Sequence, residues 1–286
     1  MSFKKKNKEP QEPAYFMSAT NIQTINYKVY YMSLKEKILY FLVAFVVGAA
    51  VGYLFYGGIG KDEFGQATTV TYVLNILIPL IAGLIAGKLF LPIRVQQIID
   101  KRKDKLSSQF KDMLDALTTS LGAGKNVTDS FYAIRDDLAV QYEEDAYIIK
   151  ELQIMIFGIQ NNIAIEDMLY DFGLRSANDD IKSFANVFKI GYRKGGNIKD
   201  IIRNTHSILN DKMDISEDIK TIVTGSKTEQ NLMVMMPIGL IAVIKMMSAD
   251  FAANFVTPIG IVSTTIAIIT FVIAYYVGKQ VLDIKI

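Results

Sequence analysis

This chain of 286 residues carries one imidazole, that of His206, and no thiol, which rules out a cysteine-ligated metal site or a cysteine nucleophile. A single histidine supplies at most one ligand or one general base, whereas a zinc site needs several convergent donors. His206 stands between Thr205 and Ser207 on a helical stretch, a position read as structural or exposed. Neither an HExxH pair nor a GxxxxGK[ST] loop to cradle nucleotide phosphates occurs in the sequence. The acid pairs Asp136-Asp137, Glu143-Glu144 and Asp179-Asp180 are adjacent residues, which a helix turns to different sides, so they read as solvated faces. The residue types thus point to a non-enzymatic protein, with no catalytic residue, cofactor or metal.

Hydropathy sets the elements on which everything else must sit. Four apolar stretches, 38–56, 70–91, 232–247 and 259–278, are each close to the roughly 20 residues an α-helix needs to cross a bilayer. The third is the shortest. Mean hydropathy is +0.25 although 21% of residues are charged, because the charge is concentrated between the spans. The first stretch follows a long polar arm and ends without a small-x-small cleavage pattern, so it reads as an anchor rather than a signal.

Lysine and arginine set the expected orientation. The short loop 57–69 carries only Lys61 and the loop 248–258 carries none, while Arg94, Lys101, Arg102, Lys103 and Lys105 crowd beside the second span. Positive charge near span ends stays inside, so both termini and the middle segment are expected in the cytoplasm. In that middle segment acids outnumber bases, which leaves no basic excess for nucleic acid phosphates. The absence of cysteine suits a chain whose bulk faces a reducing compartment. The expected fold class is an all-α membrane protein: four transmembrane helices in two pairs flanking a cytoplasmic helical bundle. Its parts are an N-terminal arm over 1–37, spans 1 and 2 over 38–91, the bundle over 92–231, and spans 3 and 4 with a short tail over 232–286.

Residues 1–13, with Lys4, Lys5, Lys6, Lys8, Pro10 and Pro13, read as flexible and able to rest on anionic lipid heads. The tyrosine-rich stretch 14–37 reads either as interfacial or as an irregular lead-in to the first span. In the middle segment Leu106, Phe110, Met113, Leu114, Leu117 and Leu121 form a stripe on a helix ending at Gly122-Ala123-Gly124. A second helix starts at Asn126 as cap, with Asp129 in its first turn and an inward face of Val127, Phe131, Ile134 and Leu138. A third carries Ile148, Ile149, Leu152, Met155, Ile156 and Ile159. A short fourth, with Ile165, Met168, Leu169 and Phe172, is expected to stop at Gly173. The fifth starts near Asn178, turns Ile181, Phe184, Val187 and Phe188 inward, and breaks at Gly195-Gly196; a sixth starts at Asn197 and runs past Leu209 and Met213.

A short echo links these helix starts. Gly124-Lys125-Asn126-Val127-Thr128-Asp129 and Gly195-Gly196-Asn197-Ile198-Lys199-Asp200 share an order, and Ala164-Ile165-Glu166-Asp167 repeats its second half. Either a repeated helix-loop-helix unit or shared capping preferences explains it. Within the spans, Lys88 and Lys245 lie near ends where long stems snorkel, and Asn75, Pro79 and Pro237 mark a kink or a packing contact. Gly83 and Gly87, four apart, allow close helix approach. The methionines 233, 235, 236, 246 and 247 read as packing against lipid or core, or as flexible thioethers that repack at a moving contact.

The stretch Phe110-Lys111-Asp112-Met113-Leu114-Asp115-Ala116-Leu117 leading into Gly122-Ala123-Gly124 is similar to the helix that opens the cytoplasmic domain in the tight-adherence branch of the type II secretion system F family. The turn Gly191-Tyr192-Arg193-Lys194-Gly195-Gly196 with its following apolar helix, Met236-Pro237 and Thr257-Pro258-Ile259-Gly260 resemble that branch too, in the same order. The likeness covers about residue 110 to the C-terminus. It implies an inner-membrane platform for a type IV-like pilus or a type II secretion machine. Its implied partners are a hexameric cytoplasmic ATPase, pilin subunits, a homologous platform protein and the lipid bilayer. Longer family members place Glu before the glycine turn; here Arg193-Lys194 stands there, so no acidic contact is carried over. On this reading Arg135, Arg193, Lys194 and Lys199, expected at the loop tips, are candidate ATPase contacts, because exposed charge steers and registers a partner. Solubilising surface charge is the plain alternative. A transport or channel component, or a membrane-anchored signalling scaffold, are the rival functions.

Overall fold

The computed structural model describes residues 12–62 and 66–282. Most of the lysine-rich arm, 1–11, lies outside them, as do 63–65 of the first short loop and 283–286 of the tail. Element order is β1 (Tyr15–Met17), β2 (Gln23–Ile25), α1 (Leu34–Tyr56), α2 (Thr69–Gly122), α3 (Val127–Gln141), α4 (Tyr147–Gln160), α5 (Ile165–Arg175), α6 (Asp179–Arg193), α7 (Ile198–Met247), α8 (Ala249–Phe255) and α9 (Pro258–Leu282). Four of these, α1, α2, α7 and α9, are long and apolar enough to cross a membrane. The chain divides into two compact units: a lobe of Met1–Tyr31 with Val95–Asp214, and an apolar unit of Met32–Arg94 with Ile215–Ile286.

Two boundaries differ from the sequence reading. The second span and the first helix of the middle segment are one helix, α2, which carries Pro79 and Pro92 inside it. The sixth helix and the third span are likewise one helix, α7, with Pro237 inside. Proline removes one N–H and crowds the carbonyl four residues back, but it does not forbid a helix whose other bonds persist. Hydropathy marks where a helix becomes apolar, and not where it ends.

In the lobe, the predicted stripes close on one another. Phe110 of α2 packs its ring against Phe172 of α5 and Phe184 of α6, with centroids 6.3 and 5.4 Å apart. Leu106, Met113, Leu114 and Leu117 of α2 are fully buried, as are Phe131 and Ile134 of α3, Leu152 of α4 and Ile202 of α7. The Asn126 side chain accepts the Asp129 N–H at 2.8 Å, and Asn178 accepts those of Asp180 and Ile181 at 2.8 and 3.1 Å. The start of α4 has no such cap of its own, since Ala146 stands there. Gln109 of α2 supplies the acceptor, taking the Ile148 N–H at 3.2 Å.

Three local expectations are corrected. The fourth helix does not stop at Gly173, for α5 runs on to Arg175. A Cβ on Gly173 would sit 3.0 Å from Ala185 Cβ and 3.1 Å from Lys182 Cα, so this glycine lets α6 lie close rather than ending its own helix. Val187, expected inward, is 49% exposed. Residues in the tyrosine-rich lead-in are not interfacial throughout: β1 and β2 pair antiparallel with Tyr15 opposite Ile25, Asn21 at φ +59° turns the hairpin, and Tyr27 is buried in the lobe core.

The apolar unit is joined by small residues and a few polar ties. On Gly48 a Cβ would lie 2.5 Å from Ala86 Cβ, and on Gly83 it would lie 2.7 Å from the Phe45 carbonyl oxygen. Gly83 and Gly87 are therefore used within the chain, by α1 against α2, together with Gly48 and Gly52. Asn75 Oδ1 accepts the Gly58 N–H at 2.8 Å, tying the loop after α1 to α2. Lys245 reaches a span end: its Nζ donates to the Leu54 and Phe55 carbonyls at 2.7 and 3.3 Å, at the C-terminal end of α1 where unpaired carbonyls and the helix dipole favour a cation.

Candidate functional site

Two of the three echoed motifs meet in space. Helix α2 ends at Gly122, the chain reverses through Gly124 at φ +90°, and α3 begins after Asn126. Helix α6 ends at Arg193, reverses through Gly195 at φ +69°, and α7 begins after Asn197. Positive φ is the reason each turn carries glycine. Asn126 and Asn197 make the same local pattern, each accepting the N–H of the aspartate three residues on and donating its amide to that carboxylate.

Both turns open on one cleft of about 500 Å³. Leu121, Val127, Tyr192 and Ile198 give it apolar lining, and Lys125 and Lys199 stand among its polar residues. Asp129 and Asp200 place a carboxylate in the first turn of each helix, where it complements the positive end of the dipole.

Of the predicted cations, only Lys199 lines the cleft, with Lys194 at the nearby end of α6. Neither pairs with a carboxylate among the described residues. Arg193 is already engaged: its Nη2 meets both Asp167 carboxylate oxygens at 2.8 and 2.9 Å, and its Nε donates to Glu166 at 3.3 Å. Lys189 joins Asp167 at 3.2 Å and stacks on the Tyr170 ring at 4.0 Å. The third echo, Ala164-Ile165-Glu166-Asp167, therefore supplies acids that tie α5 to the end of α6, and it does not line the cleft. Arg135 sits mid-helix on α3, roughly 13 Å along the axis from Asn126, with its Nε 3.1 Å from Asp136. Gly122, Gly124 and Gly195 have open space where a Cβ would point, while Gly196 lies against Gly191.

His206 Nε2 is 3.2 Å from the Asn210 amide nitrogen and 3.6 Å from Asp115. No group of three or more metal-binding side chains occurs among the described residues. A second, larger cleft of about 600 Å³ in the apolar unit, bordered by Val47, Gly48, Gly52, Ala82, Ala86 and Ile268, is almost wholly apolar and brings no reactive group.

One charged constellation escaped the sequence reading. Arg175 of α5 donates Nη1 and Nη2 to Glu151 of α4 at 3.0 and 2.8 Å, and its Nε to Asp171 at 2.8 Å. The Tyr27 hydroxyl donates to the same Glu151 oxygen at 3.0 Å. Burial, then the Glu151 carboxylate, pushes the Tyr27 phenol well above its usual range. Burial alone would lower Arg175, yet its bonds to Glu151 and Asp171 hold it above its ordinary value. All four groups are bonded together inside the lobe, which marks a structural lock joining the hairpin segment, α4 and α5. No protein-family model, curated protein or solved structure matches this chain.

Proposed function

We propose that the chain is a non-enzymatic, multi-pass platform of the cytoplasmic membrane, with both termini and the lobe on the cytoplasmic side. It couples a hexameric cytoplasmic ATPase to pilin assembly in a type IV-like tight-adherence pilus or a type II secretion machine. The observation that carries this reading is the continuity of α2 and α7. Each contains an apolar span and a lobe helix without a break. A load applied where α2 ends and α7 begins is passed along backbone hydrogen bonds rather than through a loop.

That end of the lobe also holds the cleft, with Lys125, Lys194 and Lys199, none of which pairs with a carboxylate among the described residues, and this supports it as the ATPase contact. The test is Lys194→Glu with Lys199→Glu in the full chain. The expected result is loss of ATPase co-purification and of pili, with chain level and lobe hydrogen exchange unchanged. Intact co-purification and piliation overturn the assignment.

A further inference from the structure

Helix α7 loses its packing partway along. Ile202 and Leu209 are its buried residues in the lobe, and none of the residues from 210 to 230 is buried. A neighbour is met again at Gln230, whose side-chain amide donates to the Tyr275 carbonyl of α9 at 2.9 Å. Most helices in proteins draw their stability from a packed face, and a bare one depends on the propensity of its own residues. Here that propensity is poor. The run Thr221-Ile222-Val223-Thr224-Gly225-Ser226-Lys227-Thr228 holds five β-branched residues, a glycine and a serine, and only Lys227 is a good helix former.

The hydroxyls of this run weaken it further. Thr221 Oγ1 donates to the Glu217 carbonyl at 2.9 Å, Thr224 Oγ1 to that of Lys220 at 2.6 Å, Ser226 Oγ to that of Ile222 at 3.5 Å and Thr228 Oγ1 to that of Thr224 at 2.9 Å. Each of these carbonyls is also the acceptor of the backbone bond of its turn, and sharing it in this way destabilises and bends a helix. Single bonds of the same kind occur at Thr118 and Thr205, but Leu114, Leu117 and Leu121 are buried beside the first and Ile202 and Leu209 beside the second. Gly225 has open space where a Cβ would stand, so no close neighbour requires a glycine there. With Ser226 it forms the kind of pair at which helices kink.

We propose that residues 221–228 are a joint in α7, a run that opens and bends while the helix on either side stays whole. Buried Ile202 and Leu209 hold the turns before it, and the apolar stretch after it is kept helical where no water competes for backbone groups. Bending therefore collects in the one run that has neither support. A pull along the axis still passes through α7. A sideways displacement of its lobe portion is absorbed at the joint and is not carried into the span.

Hydrogen exchange of the full chain in lipid nanodiscs is the first test. Amides of 222–229 should exchange at least about a hundredfold faster than those of 202–209 on the same helix. Thr224→Ala with Gly225→Ala and Ser226→Ala, all at positions without buried contacts, should slow them by about tenfold or more and leave the α5 amides unchanged. The second test is a distance. The chain has no cysteine of its own, so Asp211→Cys with Glu229→Cys places two spin labels at exposed positions. On a straight helix these lie about five turns, roughly 27 Å, apart. The spread of that distance should be about twice as wide, or more, in the parent sequence as in the triple-alanine chain. Amides of 222–229 as protected as those of 202–209, exchange that the alanines leave unchanged, or equal spreads in the two chains would each overturn the joint. Neither measurement uses an ATPase or pili, so its outcome is separate from the platform reading.

Discussion

Removing Arg175 alone should open the lobe far more than removing Arg175 and its partners together. The Glu151 and Arg175 side chains are 3% and 5% exposed and share two hydrogen bonds. Arg175→Met would leave a buried carboxylate with only the Tyr27 hydroxyl as donor, and breaking a buried pair this way costs about 3–5 kcal/mol. Asp171 adds little to that figure, since its carboxylate is 25% exposed and such pairs contribute under ~1 kcal/mol. Glu151→Met with Arg175→Met removes both charges but strands the Tyr27 hydroxyl, at a cost of about 1–3 kcal/mol. Adding Tyr27→Phe removes that orphan, and the triple variant should lie within about 1.5 kcal/mol of the parent, because well-packed apolar replacements of a buried pair are close to neutral. Hydrogen exchange of the α4 and α5 amides, read on the detergent-solubilised full chain, measures this directly. The single variant should speed exchange between about a hundredfold and a few thousandfold, and the triple by less than roughly tenfold, at 1.4 kcal/mol per factor of ten. A single variant that exchanges within tenfold of the parent, or a triple as labile as the single, would refute the lock.

Three further outcomes follow from particular contacts. Gly83→Val, whose Cβ would lie 2.7 Å from the Phe45 carbonyl, should lower the thermal midpoint of the solubilised chain, whereas Gly122→Ala, with nothing within 4 Å, should not. Gly173→Leu should destabilise the lobe by about 1–3 kcal/mol by forcing α6 from α5, while Arg193→Ala, which loses a pair on a half-exposed side chain, should cost about 1 kcal/mol or less in the same denaturant titration. Burial, then the hydrogen bond to Asp112, raises the Tyr142 phenol from 10.0 to about 12. A raised folded value means its stabilisation is complete below pH 10 and is lost as pH climbs toward 12. Lobe unfolding followed across that window should be steeper in the parent chain than in Tyr142→Phe.

The helices of the lobe were legible because their stripes were dense and their caps chemically explicit. Asn126 and Asn178 announce α3 and α6, and the buried face of α4 is the predicted one, from Ile148 to Met155. The spans were legible for the same reason, but their limits were not. Nothing in Pro92 or in the charges that follow says whether α2 continues, since a charged helix and a charged loop have similar composition. Gly173 misled because glycine ends helices and also permits them to touch, and only the position of α6 separates the two uses. The hairpin at 15–25 was hidden by its brevity, three residues a strand, too short for alternation to speak.

The lock and the cleft were hidden in different ways. Glu151 falls three residues after Ile148 and four before Met155, and Arg175 falls three after Phe172 and seven after Met168, so each charge occupies a stripe position that should be apolar. Two opposite charges on inward faces of consecutive helices are a readable signal that they are paired, because neither could be buried alone. The cleft leaves no such trace. Lys125 and Lys199 look like any solvated lysines until α2, α3, α6 and α7 are assembled, and only then do two distant glycine turns become one surface. What sequence could state was that both turns have the same chemistry; that they share one face of the lobe is legible only once the four helices are packed.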